Sequence, residues 1–315
     1  MKATDTRQIG RTSLSVTCLG LGGVFLARDA PRSEAEALIE RAYETGVRYF
    51  DTAPMYGLGE SERRYNAPLS RLERSGFVLS TKVGRLLQED VGGAEPWHFD
   101  FTRDGVLRSF ETSLQRLGLD RVDILLVHDP DDHADQAIRE AFPALIELRE
   151  QGLVGAIGAG MNQWELELRF ARELPLDCFL LAGRYTLLEQ TALAEFLPYC
   201  EANGISVIAG GPYNSGILAS DLDDAARYNY ATAPPEMLDR ARAIKAVCDR
   251  HGVPLKAAAL QVILAHPAVA AVIPGAASVA EVEENARMIE APIPAALWSE
   301  LKDAGLLDPA APVPA

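Results

Sequence analysis

A run of short apolar segments, each followed by an amphipathic stretch of helical length, leaves few folds open to this chain of 315 residues. A hairpin within residues 7–20 feeds the first of these segments, and the others are read as strands at 47–51, 77–82, 124–128, 154–158, 178–182, 205–209 and 269–273. No composition break between them is long enough for a linker. Strands alternating with helices in this way predict a single α/β domain over 1–315, a (β/α)8 TIM barrel with its core at about 7–290. The hairpin would plug the barrel floor, and Gly20, Gly22 and Gly23 would follow as a loop whose bare backbone can approach a ligand closely. Ser33 with Glu36 reads as a capping box opening the first helix. Further helices are expected at 61–72, 102–117, 189–202 and, as the last to wrap the barrel, 279–289. Two long loops, 83–101 with Gly92-Gly93 and Trp97, and 210–235, would lie on the C-terminal face. The Pro- and Ala-rich tail 309–315 reads as a loose end.

The strand ends carry the chemistry. Asp51, Lys82 and His128 each close an apolar run, and Tyr56 follows Asp51 by five residues. The C-terminal ends of barrel strands are where such a fold gathers its reactive groups. A buried Asp keeps a neighbouring Lys charged, and that charge lowers the pKa of an adjacent phenol from about 10 toward the working pH. Tyr56 would then donate a proton in reduction or accept one in oxidation, while a neutral His128 would orient the substrate oxygen. Taken singly, these residues have plain explanations as a helix cap, a solvated amine and a satisfied imidazole. Three strands ending this way together are better explained by one active site.

Charge narrows the partners. A net charge of −15 and a pI near 4.8 argue against nucleic-acid binding, which needs clustered Lys and Arg. With no apolar run of about 20 residues and no basic leader, no membrane contact is expected and the enzyme reads as cytoplasmic. Cys18, Cys178, Cys200 and Cys248 are scattered without metal-ligand spacing, so no metal is expected and the thiols read as reduced and buried.

Phe50-Asp51-Thr52-Ala53-Pro54-Met55-Tyr56-Gly57, Ser80-Thr81-Lys82, Ser113-Leu114-Gln115-Arg116-Leu117-Gly118, Leu126-Val127-His128, Ala156-Ile157-Gly158 and Ile273-Pro274-Gly275 together resemble the aldo-keto reductase superfamily. The resemblance runs from about residue 7 to residue 290. It implies a nicotinamide cofactor extended across the C-terminal face and a catalytic tetrad of Asp51, Tyr56, Lys82 and His128. It places cofactor contacts at Gly22, Gly23, Asp51, Asn162, Gly211, Ser215, Gly216, Leu218, Gly275, Glu284 and Asn285. Met161, Ala182 and Gly210 stand where the family usually has Ser, Gln and an aromatic.

Those departures are accompanied by Lys82-Val83-Gly84-Arg85, Phe99-Asp100-Phe101, His128-Asp129 and the run from Gly211 to Leu218, which resemble the aldose 1-dehydrogenases of L-fucose and D-arabinose type. A small-molecule sugar or aldehyde substrate follows, with oxidation of a cyclic hemiacetal to a lactone. Pyridoxal 4-dehydrogenase and a generic aldehyde or ketone reductase are the alternatives, and a Schiff-base aldolase on Lys82 is one from another class. Trp97 and Tyr213 would offer rings to a sugar. Gly275 and Glu281 replace the Lys and Arg that clamp the 2′-phosphate in NADPH-using relatives, so NAD is the expected preference, with NADP possible. Oligomeric state is left open.

Overall fold

Parallel pairing of the apolar runs in chain order builds one eight-stranded sheet. Its strands are β1 (Gly20–Gly22), β2 (Tyr49–Asp51), β3 (Val78–Val83), β4 (Val122–His128), β5 (Val154–Met161), β6 (Cys178–Ala182), β7 (Ser206–Gly210) and β8 (Val269–Ile273). The computed structural model describes residues 2–88 and 95–314, and the Gly92-Gly93 pair of the first long loop lies outside them. The two sheet edges meet. Leu19 bridges Val272 and Gly22 bridges Gly275, both in parallel sense, and the Gly22 N–H donates to the Pro274 carbonyl at 3.1 Å. The sheet thereby closes into the expected barrel, with helices outside.

Alternation along each strand divides the side chains between two cores. Tyr49, Ile124, Leu126, Ala156, Leu180 and Ile208 fill the lumen, where Ile9 and Val16 join them from the N-terminal hairpin, Thr6–Gln8 paired with Ser15–Thr17. Phe50, Leu79, Leu125, Val127 and Ile157 face the other way, into the layer shared with the helices.

Several boundaries differ from the expectation, each for a tertiary reason. Gly20 and Gly22 belong to β1 rather than to a loop. A Cβ on Gly20 would stand 2.8 Å from Ile273 Cγ2, and one on Gly22 would stand 3.0 Å from the Ile273 carbonyl, so the seam with β8 closes only without side chains there. The first helix, Arg32–Glu44, is entered through Pro31 with no side-chain cap, which leaves Ser33 inside the helix. Only Phe196–Asn203 is α-helical in the segment read as 189–202. The Glu189 N–H instead donates to Thr186 Oγ1 at 3.0 Å, and Gln190 Nε2 donates to the Thr186 carbonyl at 2.7 Å, which holds a turn.

The C-terminus is not loose. A further helix, Ala295–Asp303, follows the one expected to be last, and Leu307 and Ala311 are buried behind it. Lys302 Nζ fixes the tail by donating to the carbonyls of Pro309 at 3.0 Å and Ala311 at 2.7 Å. The two long loops are also structured: Arg85–Leu87 pairs with Trp97–Phe99, and Arg227–Tyr228 with Ala231–Thr232. Among the described residues, no helix is long and apolar enough to cross a membrane.

Candidate active site

Strand register brings the three strand-end residues together. Asp51 is level with Ser80 on β3, Lys82 with Leu126 on β4, and His128 with Gly160 on β5. Tyr49 and Asp51, Ser80 and Lys82, and Leu126 and His128 are each two residues apart, so alternation turns each pair toward the lumen. Gly160 leaves room above them, for a Cβ there would already lie 3.4 Å from Lys82 Cε.

Lys82 Nζ is the hub. It donates to Asp51 Oδ2 at 2.7 Å, to the Thr52 carbonyl at 2.9 Å and to the Tyr56 hydroxyl at 3.1 Å, which uses all three of its protons. Asp51 Oδ1 accepts from Ser80 Oγ at 2.7 Å, and Ser80 Oγ lies 3.0 Å from the Tyr49 hydroxyl. The network therefore runs Tyr49, Ser80, Asp51, Lys82, Tyr56. Ser80 and Tyr49 carried no assigned role in the sequence, although their spacing from Lys82 and Asp51 put them on the same face. The His128 ring stands edge-on to Tyr56, with centroids 6.0 Å apart, and its buried Nδ1 has no hydrogen-bond partner among the described residues.

Burial opposes the Lys82 ammonium, but the charges of Asp51 and Tyr56 outweigh it and hold the pKa above its ordinary value. An amine held charged is no nucleophile, which removes the basis for Schiff-base chemistry. For Tyr56 the expectation needs correcting. Burial raises its pKa, the Lys82 charge pulls it down and the Asp51 carboxylate pushes it up again, so the net shift is upward. Burial, then the charges of Lys82 and Arg85, depress the His128 pKa well below its usual range, which leaves a neutral imidazole free to hydrogen-bond a substrate oxygen.

The residues expected to contact a cofactor divide into those with groups to offer and those already committed. Asn162 Nδ2 donates to the Ala182 carbonyl at 2.8 Å, which leaves its oxygen for an amide N–H. Gly211, Ser215 and Gly216 are exposed and have positive φ, although Ser215 Oγ already accepts the Tyr230 N–H at 2.9 Å. Glu284, one-third exposed, is paired with Lys256 Nζ at 2.6 Å, and Asn285 Oδ1 accepts from the Tyr213 hydroxyl at 2.7 Å. Exposed backbone, an amide oxygen and a carboxylate are groups that a nicotinamide dinucleotide can use, so the residues present fit such a cofactor.

Leu218 has its side chain fully buried, and its N–H donates to the Tyr213 carbonyl at 3.2 Å. Asp51 has both oxygens engaged and almost no open surface. Gly22 serves barrel closure, and Gly23 is equally constrained, since a Cβ there would come within 2.6 Å of the Asp51 carbonyl. Gly275 lies under the ring of Phe25, 2.4 Å from where its Cβ would be. Tyr213 is a tether between the 210–235 loop and the helix Val279–Glu290.

Beside His128 opens a cleft of about 280 Å³ lined by Arg85, Phe99, Asp129, Asp131 and Asn162. Trp97 stands behind it, packed against Phe99 and the Arg85 guanidinium. The Arg116 of the 113–118 motif turns away from the site and pairs with buried Glu62, whose other oxygen accepts from Thr81 Oγ1 at 2.7 Å. That motif holds the scaffold.

Residues 18–305 match the model of the aldo/keto reductase family. The chain is 42% identical to D-threo-aldose 1-dehydrogenase of a Pseudomonas species, over 93% of this chain and 95% of that one. It is 39% identical to pyridoxal 4-dehydrogenase of Microbacterium luteolum, over 98% and 99%. The holo form of an aldo-keto reductase from Bacillus halodurans superposes with a TM-score of 0.81 at 26% identity, covering 95% of this chain and 96% of that one. With its closed barrel and a match spanning nearly all of it, the chain is an oxidoreductase of the aldo/keto reductase family.

Proposed function

We propose that the enzyme oxidises the anomeric carbon of a cyclic aldose, of L-fucose or D-arabinose type, to the lactone, with NAD⁺ preferred over NADP⁺. The family works with a nicotinamide cofactor, which when bound supplies the hydride acceptor. The chain's own residues handle the proton. As the anomeric C–H bond gives up its electron pair, the hydroxyl on the same carbon loses its proton to Tyr56 Oη and the second C–O bond of the lactone carbonyl forms. Lys82 stabilises the phenolate from 3.1 Å, Asp51 keeps Lys82 charged, and neutral His128 holds the reacting oxygen. The observation that carries this reading is the hydrogen-bonded line ending at the Tyr56 hydroxyl, with the His128 ring standing edge-on beside it at a centroid distance of 6.0 Å.

The substrate class draws on the two relatives, one named for aldose oxidation at C1 and the other for pyridoxal oxidation. Initial rates on a panel of aldoses, pyridoxal and simple aldehydes, each with both cofactors, test it. A sugar of L-fucose or D-arabinose type is expected to give the highest kcat/KM. If pyridoxal exceeds every sugar, the enzyme is a pyridoxal dehydrogenase. Faster reduction of simple aldehydes than oxidation of any sugar would make it a general reductase.

A further inference from the structure

We propose that the ion pair of Arg85 and Asp129 is the part of the substrate site that recognises the hydroxyl next to the reacting carbon, and thereby selects polyhydroxylated sugars. This rests on the aldose reading above and extends it from the reaction to its specificity.

Asp129 directly follows His128, and its Oδ2 lies 3.6 Å from His128 Nε2. An oxygen held by that imidazole therefore has the carboxylate close beside it. In a sugar, the oxygen on the adjacent carbon sits at about hydrogen-bonding distance from the first, so the carboxylate is placed to accept from it. The Arg85 guanidinium, which also lines the cleft, binds the same carboxylate directly. It is held in place by the rings of Trp97 and Phe99, whose centroids lie 5.1 and 5.2 Å away.

Stability does not account for this arrangement. Asp129 has a φ of +42°, a left-handed conformation that Asp and Asn enter more readily than other non-glycine residues but still at a cost. A partly exposed ion pair returns about 0–1 kcal/mol, which does no more than offset that strain. The side chains are 19% and 24% exposed, so the pair is reachable. Two neighbouring atoms are also without a partner among the described residues: Arg85 Nε, an enclosed donor, and Asp131 Oδ1, an enclosed acceptor. Enclosed polar atoms are seldom left so. The cleft volume, near 280 Å³, is just below the about 300 Å³ at which drug-sized pockets begin, which suits one small polar ring.

The test compares an aldose with its 2-deoxy counterpart in steady-state oxidation by the full-length parent, Asp129→Asn and Arg85→Met. Asparagine tolerates left-handed backbone, so Asp129→Asn keeps the fold and carries the test even if Arg85→Met does not. The parent is expected to favour the aldose roughly tenfold or more in kcat/KM, the weight of one hydrogen bond to a charged group. In either variant that preference should fall to about twofold, through a KM for the aldose that rises far more than the KM for the 2-deoxy sugar. An undiminished preference in Asp129→Asn overturns the role of the pair alone. A parent that oxidises no aldose overturns the aldose reading and this one with it.

Discussion

Tyr56 illustrates how a single residue's chemistry depends on competing terms of similar size. Its hydroxyl sits 3.1 Å from an ammonium, which favours the phenolate, yet burial and Asp51 leave the phenol harder to ionise than in water. The sign of the pH dependence follows. Oxidation needs Tyr56 unprotonated, so kcat/KM for an aldose should climb with pH through neutrality and on to at least about pH 9, short of the ordinary phenol pKa near 10. Reduction needs the proton and should be flat over that range. A plateau in oxidation below about pH 8 would mean that another group is the base. Tyr56→Phe removes the proton acceptor and should lower turnover by at least ~10²-fold with little change in cofactor affinity, as measured by steady-state rates and fluorescence titration. Turnover within about tenfold of the parent would remove Tyr56 from the reaction.

The helix Val279–Glu290 carries the argument about cofactor choice. Its N-terminus is the end that attracts anions, and the chain has placed its own carboxylate there. Ser278 caps the helix by accepting the Glu281 N–H at 3.2 Å, while Glu281 Oε2 accepts the Ala277 N–H at 2.8 Å. Phe25 packs over Gly275, the position at which NADPH-using relatives carry a lysine. A carboxylate near a 2′-phosphate is repelled by about 1 kcal/mol per unit-charge pair at about 4 Å, even at the dielectric constant of water. A preference for NAD⁺ over NADP⁺ of at least ~10-fold in kcat/KM is expected, equivalent to about 1.4 kcal/mol. Glu281→Arg should shrink or invert the ratio. Equal efficiency with both cofactors in the parent, or a ratio indifferent to that substitution, would defeat the charge argument.

At the scale of the whole molecule, both ends of the chain are packed onto the barrel, one inside it and one outside. The N-terminal hairpin sends Ile9 and Val16 into the lumen, and the C-terminal segment buries Leu307 and Ala311. Arg240 Nη2 ties the latter to the body by donating to the Leu306 carbonyl at 2.7 Å. Leu307, with 1% of its surface exposed, is thus a core residue just ahead of the 309–315 segment whose composition reads as tail. Leu307→Ala should cost about 2–5 kcal/mol, as for other large-to-small core substitutions, and lower the urea midpoint without altering the slope. A change within about 0.5 kcal/mol would show the segment to be detached from the fold in solution.

Local chemistry made much of this legible. Apolar runs of strand length separated by helical periodicity determine a parallel sheet covered by helices, and eight of them in one domain favour its closing into a barrel. Alternation also fixes which way Asp51, Lys82 and His128 point, and Gly118, with a φ of +68°, ends its helix where the sequence says it should. What only the tertiary structure decided depends on partners far away in the chain. β1 has almost no apolar signal of its own and is a strand because β8 leaves no room for side chains beside it. Ser80 joins the proton network through an aspartate 29 residues away, and Arg85 meets Asp129 across 44. The pKa of Tyr56 was beyond local reading for the same reason. The sequence shows the ammonium that lowers it, whereas the burial that raises it exists only once the barrel has closed.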